Sequence, residues 1–143
     1  SFIMSDLELN LTPTRPYLAR AIYEWICDNH LTPYLLVDAT AANTSVPIEH
    51  VQDGQIVLNI VPHAVHALHM SNDAISFSAR FGGVSRDIYV PFAALLGIYA
   101  RENGQGLFFD PSEYADIQTE QDQVESQAEQ EQAKKKPSLR ILD

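Results

Sequence analysis

The sequence predicts a mostly β fold with one N-terminal α-helix, a small bent antiparallel sheet or barrel, and a disordered C-terminal tail. Helical periodicity occurs once, near residues 14–28. Short segments with strand-like alternation, separated by turn residues, then continue to about residue 109. After Tyr114 the apolar pattern ends, and Gln, Glu, Asp, Ser and Ala dominate.

The helix is predicted to begin after Thr14, which can act as its N-cap, and to end at Asn29 and His30. Pro16 falls in the first turn, where its missing N–H is tolerated. Apolar residues recur at helical spacing: Leu18, Ala21, Ile22, Trp25 and Ile26. This stripe predicts the face of the helix that packs on the domain.

A second apolar set, Tyr17, Tyr23 and Cys27, lies off that stripe. A surface helix needs only one apolar face, so the second set predicts a dimer interface. The alternative is a helix that its own domain buries on two sides.

Strands follow as a series of short segments: residues 34–39, 46–52, 55–61, 68–70, 74–81, 84–90, 95–101 and 107–109. Residues 62–67 are predicted as a connector and residues 91–94 as a helical turn. Asp53-Gly54 and Gly82-Gly83 are typical hairpin turns. Together these features favour a strongly bent antiparallel sheet or barrel.

Residues 74–81 (AISFSARF) have the clearest alternation in the chain. An extended peptide could lie beside this strand, with small Ser78 and Ala79 allowing its backbone to approach. Arg80 could meet its carboxylates, and Phe77 or Phe81 could form an apolar wall. The alternative is that both phenylalanines are core residues and Arg80 is a solvated charge.

Composition restricts the class of protein. The formal net charge of −10 argues against a DNA-binding or general nucleic-acid-binding protein, which needs clustered Lys and Arg. Cys27 is the single cysteine, so a reducing compartment, the cytoplasm, is expected. No apolar run is long enough for a membrane span. Residues 1–12 are predicted as a flexible lead, with residues 1–3 a possible expression scar.

No catalytic constellation is evident, and the chain is expected to be neither an enzyme nor dependent on a cofactor. His63, His66 and His69 are spaced by three residues, and His50 could join them. Pro62 makes a regular helix through them unfavourable, and no carboxylate is interleaved to orient metal-binding imidazoles. We therefore expect no metal, although a metal enzyme built on these histidines is a weaker alternative.

Several segments in order resemble the stringent starvation protein B family, which supplies an adaptor for the ClpXP protease. They are RPYLARAIYEW (15–25), LTPYLLVDAT (31–40), DGQIVLNI (53–60), ARFGGVSR (79–86) and IYARENG (98–104). The terminal PSLRILD is also similar to that family's C-terminal motif, although Asp143 stands where a basic residue is usual.

The resemblance implies an Sm-like barrel that forms a homodimer through its N-terminal helix and binds the ssrA degradation tag on proteins from stalled ribosomes. The implied tag groove comprises Val61, Ser78, Ala79, Arg80 and Phe81. The implied binding segment for the N-terminal domain of ClpX comprises Pro137, Ser138, Leu139, Arg140, Ile141 and Leu142. The ribosome is a further expected partner. An Sm-like protein that binds RNA or ribosomes remains the alternative function.

The expected organisation is therefore a folded domain at residues 13–110, a flexible acidic linker at 111–136 and the ClpX-binding peptide at 137–143. A polar solvated helix is the alternative for the linker, because Glu, Gln and Ala favour helices. A flexible chain of that length would have an r.m.s. span of ~28 Å, which suits a tether.

Overall fold

A computed structural model describes residues 11–114 of the chain. Within that range the elements are α1 (Arg15–Asp28), β1 (Pro33–Asp38), β2 (Gln55–Asn59), β3 (Val65–Met70), β4 (Ala74–Phe81), β5 (Val84–Pro91), β6 (Leu95–Ala100) and β7 (Gly106–Phe108). Short 3₁₀ turns occupy Ile48–His50, Pro62–Ala64 and Phe92–Ala94. The predicted mostly β fold with one N-terminal helix is confirmed. The predicted linker and terminal peptide lie almost wholly outside the described residues.

The strands form two antiparallel sheets. One has the order β2-β1-β6-β7, and the other has the order β3-β4-β5. Buried side chains alternate along the strands, as Leu35 and Val37 do on β1 and Ile75 and Phe77 do on β4. We call the face of each sheet that carries these buried residues its inner face. The alternation predicted for residues 74–81 is confirmed from Ile75 onward, whereas Ala74 at the start of the strand is also buried.

The prediction of a strand at residues 46–52 is wrong. The chain forms a 3₁₀ turn at Ile48–His50 instead, closed by hydrogen bonds from His50 N–H to the Pro47 carbonyl (3.1 Å) and from Val51 N–H to the Ile48 carbonyl (3.0 Å). Pro47 has no N–H to donate to a neighbouring strand, and its φ of −67° leads directly into such a turn.

The third strand begins earlier than predicted, at Val65 rather than at residue 68. Its pairing with β4 shifts between His66 and His69, and Ala67 has a positive φ of 55°. This β-bulge hides the regular alternation that would have identified the strand from its sequence.

The helix has the predicted bounds but not the predicted core face. Ala19 and Ile26 are fully buried, whereas Leu18 and Trp25 are 43% and 40% exposed. Most of the predicted core stripe therefore faces away from the domain. Thr14 occupies the N-cap position but its side chain makes no capping hydrogen bond, because its backbone is already helical (φ −75°, ψ −24°).

The start of the helix is held by a buried arginine. The Arg15 side chain donates to the carbonyls of Phe92 and Leu95, each at 3.1 Å, and Arg15 is only 1% exposed. Its guanidinium also lies 4.7 Å from the centre of the Phe109 ring. These contacts tie the first turn of α1 to the corner between β5 and β6.

Two units are distinguished along the chain, with the boundary between Phe109 and Asp110. In the second unit, residues 110–114 are described. There the Asp110 carboxylate accepts hydrogen bonds from the backbone N–H (3.0 Å) and hydroxyl (2.8 Å) of Ser112, which closes a turn. In the described part of the chain, no helix has the length and apolar character needed to span a membrane.

Replacing Arg15 with Met should destabilise the domain by about 3 kcal/mol, because two buried carbonyls lose charge-assisted hydrogen bonds. Urea unfolding followed by circular dichroism measures the loss. Arg101→Met is the matched control, since the Arg101 side chain is 55% exposed. Equal destabilisation by both variants would contradict a special role for Arg15.

Candidate functional site

The candidate site lies at the tip of the β4–β5 hairpin. Phe81 pairs with Val84 across a two-residue turn in which Gly82 and Gly83 have φ values of 59° and 82°. Two successive positive φ values are typical of a type I′ turn, which glycine adopts without steric cost. The predicted turn is confirmed. The Arg80 guanidinium donates to the Gly83 carbonyl at 3.3 Å and so lies over this turn.

Strand β4 extends beyond its neighbour β3 at this tip. Val65, the first residue of β3, pairs with Ala79, and the preceding Pro62–Ala64 segment is a 3₁₀ turn. Within the described residues, no strand therefore pairs with Arg80 or Phe81 on the β3 side. An open strand edge offers backbone donors and acceptors that an extended peptide can pair with.

Four of the five predicted groove residues are consecutive on β4, at or next to this open edge, and they alternate between its two faces. Ala79, 8% exposed, and half-buried Phe81 lie on the inner face of β4, whereas Ser78 and Arg80 alternate onto the opposite face. Val61 is half-buried and directly precedes the 3₁₀ turn that leads into β3. A peptide along the edge of β4 would thus have Phe81 on one side and Arg80 on the other.

Near this tip, residues 45–52 form a segment that we call the strap. One end pairs with β5, where Ser45 and Tyr89 exchange two backbone hydrogen bonds of 2.9 and 3.0 Å. The other end pairs with the start of β2, where Gln52 and Gln55 exchange two of 2.9 Å. The strap therefore connects an edge strand of each sheet.

The middle of the strap contacts the hairpin tip through side chains. Glu49 forms an ion pair with Arg86 of β5, and the His50 ring lies 5.8 Å from the Phe81 ring, centre to centre. Ile48 is 81% exposed beside them. Sequence reasoning missed these residues because it assigned them to a strand. The proline that precedes the turn was the available signal.

The Glu49–Arg86 pair is accessible to solvent, with the two side chains 50% and 39% exposed. A hydrogen bond from the backbone N–H of Glu49 itself, together with the nearby charge of Arg86, lowers the pKa of the Glu49 carboxyl. The carboxyl is therefore ionised at neutral pH, when the pair is formed.

The three clustered histidines do not converge. His63 lies in the 3₁₀ turn before β3, and His66 and His69 lie on β3, opposite Ser78 and Ser76 of β4. Among the described residues, no group of three or more His, Cys, Asp or Glu side chains is placed to hold a metal ion.

The residues predicted for the dimer interface lie on different sides of α1. Tyr17 is 50% exposed, and its hydroxyl accepts a hydrogen bond from the Asn72 side chain at 3.3 Å. Tyr23 and Cys27 are half-buried and hydrogen-bond to each other. Burial raises the pKa of Tyr23 to about 12 and also raises the pKa of the Cys27 thiol.

A different set of apolar residues forms the exposed face of the helix. Leu18, Ala21 and Trp25 recur at helical spacing, and all three are exposed. These are residues of the stripe that the sequence assigned to the core. We call them the exposed helix face.

The fold and the site define a small β domain of two sheets with one helix, an open strand edge and an apolar helix face. Within the range that the structure describes, the open edge of β4 carries unpaired backbone groups suited to binding an extended peptide. The features are those of a protein-binding module.

Comparison with known proteins identifies the family. The sequence model described as stringent starvation protein B matches residues 13–140. The stringent starvation protein B homolog of Haemophilus influenzae is 47% identical over 150 residues, which cover 96% of this chain and 100% of the relative. The chain belongs to the stringent starvation protein B family, a family of adaptors rather than enzymes.

Proposed function

We propose that this protein binds the ssrA tag of substrates from stalled ribosomes and tethers them, through its C-terminal segment, to the ClpX unfoldase of the ClpXP protease. The observation that carries the proposal is the open edge of β4 at Arg80 and Phe81. Membership of an adaptor family supports it, because an adaptor acts by binding two partners at once.

Tag binding by strand addition would use the backbone of β4 for affinity and the flanking side chains for selectivity. The edge is short, about two residues beyond β3, so backbone pairing alone should bind weakly. Phe81 supplies apolar area to one side of the peptide, and Ala79 is small enough to leave room for its backbone. Val61 would close the groove on the side of the connection between the sheets.

The tether is proposed for Pro137 to Leu142, which lie outside the described residues. The family match continues through the linker to residue 140, which supports a shared role for this end of the chain. Leu139, Ile141 and Leu142 would supply apolar contacts with ClpX, and Arg140 would supply charge. Two weak contacts on one complex reinforce each other through effective concentration.

The exposed helix face supports a homodimer. Large apolar side chains that recur on one side of a helix, with no covering element in the described residues, are typical of an interface between protein chains. Leu18 and Trp25 would lie at its centre, and Tyr17 at its border. A dimer would carry two tag grooves and two tethers.

The first test is tag binding by a groove variant. Ala79→Gln places a longer side chain beside the open edge, and we expect its affinity for a fluorescent ssrA peptide, measured by anisotropy, to fall at least tenfold. Ala42→Gln, the same replacement at an exposed alanine in the loop between β1 and β2, is the matched control and should bind normally. Unchanged affinity of a folded Ala79→Gln variant would exclude this groove.

The second test removes residues 137–143. The truncated protein should bind the tag with unchanged affinity but should no longer accelerate degradation of an ssrA-tagged substrate by ClpXP. The measurement compares the rate at which ClpXP degrades the tagged substrate in the presence of the full-length and the truncated protein. Full stimulation without these residues would refute the proposed tether.

The third test concerns the dimer. Leu18→Glu introduces a charge on the exposed helix face and should convert the protein to a monomer in sedimentation equilibrium, because a buried unpaired carboxylate opposes association. Val57→Glu is the matched control, since Val57 is 48% exposed on β2 and Leu18 is 43% exposed. A dimer that persists with Leu18→Glu would place the interface elsewhere.

A further inference from the structure

The Glu49–Arg86 ion pair lies beside the proposed tag groove. Arg86 pairs in register with Ala79 and alternates onto the same inner face as Ile88 of β5. Its guanidinium is therefore on the face of the sheet that carries Phe81. It lies near the tip of the β4–β5 hairpin, where the Arg86 side chain is 39% exposed. Glu49 is the partner that the structure shows for it in the described range.

Glu49 lies in the part of the strap that is not paired with either sheet. The two ends of the strap are paired with β5 and with the start of β2, but the 3₁₀ turn between them is closed by its own backbone. The contacts shown between this turn and the hairpin are the ion pair and the His50–Phe81 ring contact. The Glu49 carboxylate can thus leave Arg86 without breaking any pairing between strands.

Exchange of the Arg86 partner is energetically accessible. Half-exposed ion pairs contribute little to stability, because water solvates both charges well when they separate. A second carboxylate, presented by a bound peptide in a drier groove, could replace Glu49 at little cost.

The distances allow such an exchange. A peptide added to the β3 side of β4 lies two strand spacings from β5, about 9.6 Å. Val65 of β3 already pairs with Ala79. A peptide beside Arg80 and Phe81 therefore lies diagonally across β4 from Arg86. The diagonal crosses the inner face between Phe81 and Ala79, whose side chain is only a methyl group. Arginine and an acidic side chain that extend toward each other can span this gap.

We propose that Arg86 is a specificity-determining residue that binds a carboxylate of the incoming peptide, and that Glu49 is an internal competitor that occupies Arg86 in the free protein. This inference rests on the proposed peptide-binding role of the β4 edge. It predicts that the groove prefers peptides with an acidic residue facing the inner sheet surface.

The experiment uses full-length protein and two labelled peptides with amidated C-termini. One has the ssrA sequence, and the other has every Asp and Glu replaced by Asn and Gln. Glu49→Gln should tighten binding of the acidic peptide about two- to fivefold, the effect of an exposed ion pair. Arg86→Gln should weaken it by at least as much. Neither variant should change binding of the neutral peptide.

Asp87→Asn is the matched control. It removes the same charge as Glu49→Gln one residue from Arg86, but Asp87 alternates onto the opposite face of β5. If Asp87→Asn strengthens acidic-peptide binding as much as Glu49→Gln does, general electrostatics explains the effect and the inference is wrong.

The remaining outcomes distinguish failure of the proposed function from failure of the proposed exchange at Arg86. If wild-type protein binds neither peptide, the proposed function fails and this inference fails with it. If wild-type protein binds both peptides and Glu49→Gln leaves both affinities unchanged, the proposed function stands and the exchange at Arg86 is refuted. Equal thermal unfolding midpoints of wild type and Glu49→Gln confirm that the comparison concerns binding.

Discussion

The buried guanidinium of Arg15 determines how the helix sits on the β domain. Its hydrogen bonds to the Phe92 and Leu95 carbonyls, each 3.1 Å long, hold the first turn of α1 at the corner between β5 and β6. A buried charge is costly unless it is well bonded, so the helix has little freedom to rotate about its axis. That orientation buries Ala19 and Ile26 and leaves Leu18 and Trp25 exposed.

The open strand edge and the strap both occur where the pairing between strands ends. Strand β4 continues past the first residue of β3, which leaves an open edge at Arg80 and Phe81. The strap connects the two sheets, but its central turn at Ile48–His50 joins neither of them. A completed ladder would have no backbone groups left for a peptide. The incompleteness of the sheet is therefore what suits it to a binding role.

An adaptor of this kind divides its work between parts with different physical requirements. The proposed peptide selection would need a rigid edge and precisely placed side chains, and the β4–β5 hairpin has a full eight-residue register. Delivery to a second protein needs reach rather than rigidity, which suits a polar, acidic chain followed by a short apolar-basic peptide. Assembly through the exposed helix face would double both functions without adding a new site to either.

The sequence by itself determined the helix bounds, the alternation of β4 and the Gly82-Gly83 turn, because these depend on neighbouring residues. It also indicated the family. Only tertiary structure decided which helix face is buried, since apolar residues lie on several sides of α1 and the partners of Arg15 are 77 and 80 residues away. The same holds for the ion pair of the strap, because Glu49 and Arg86 are 37 residues apart in the sequence. Contacts between distant segments carry no local pattern, so they could not be predicted from sequence spacing.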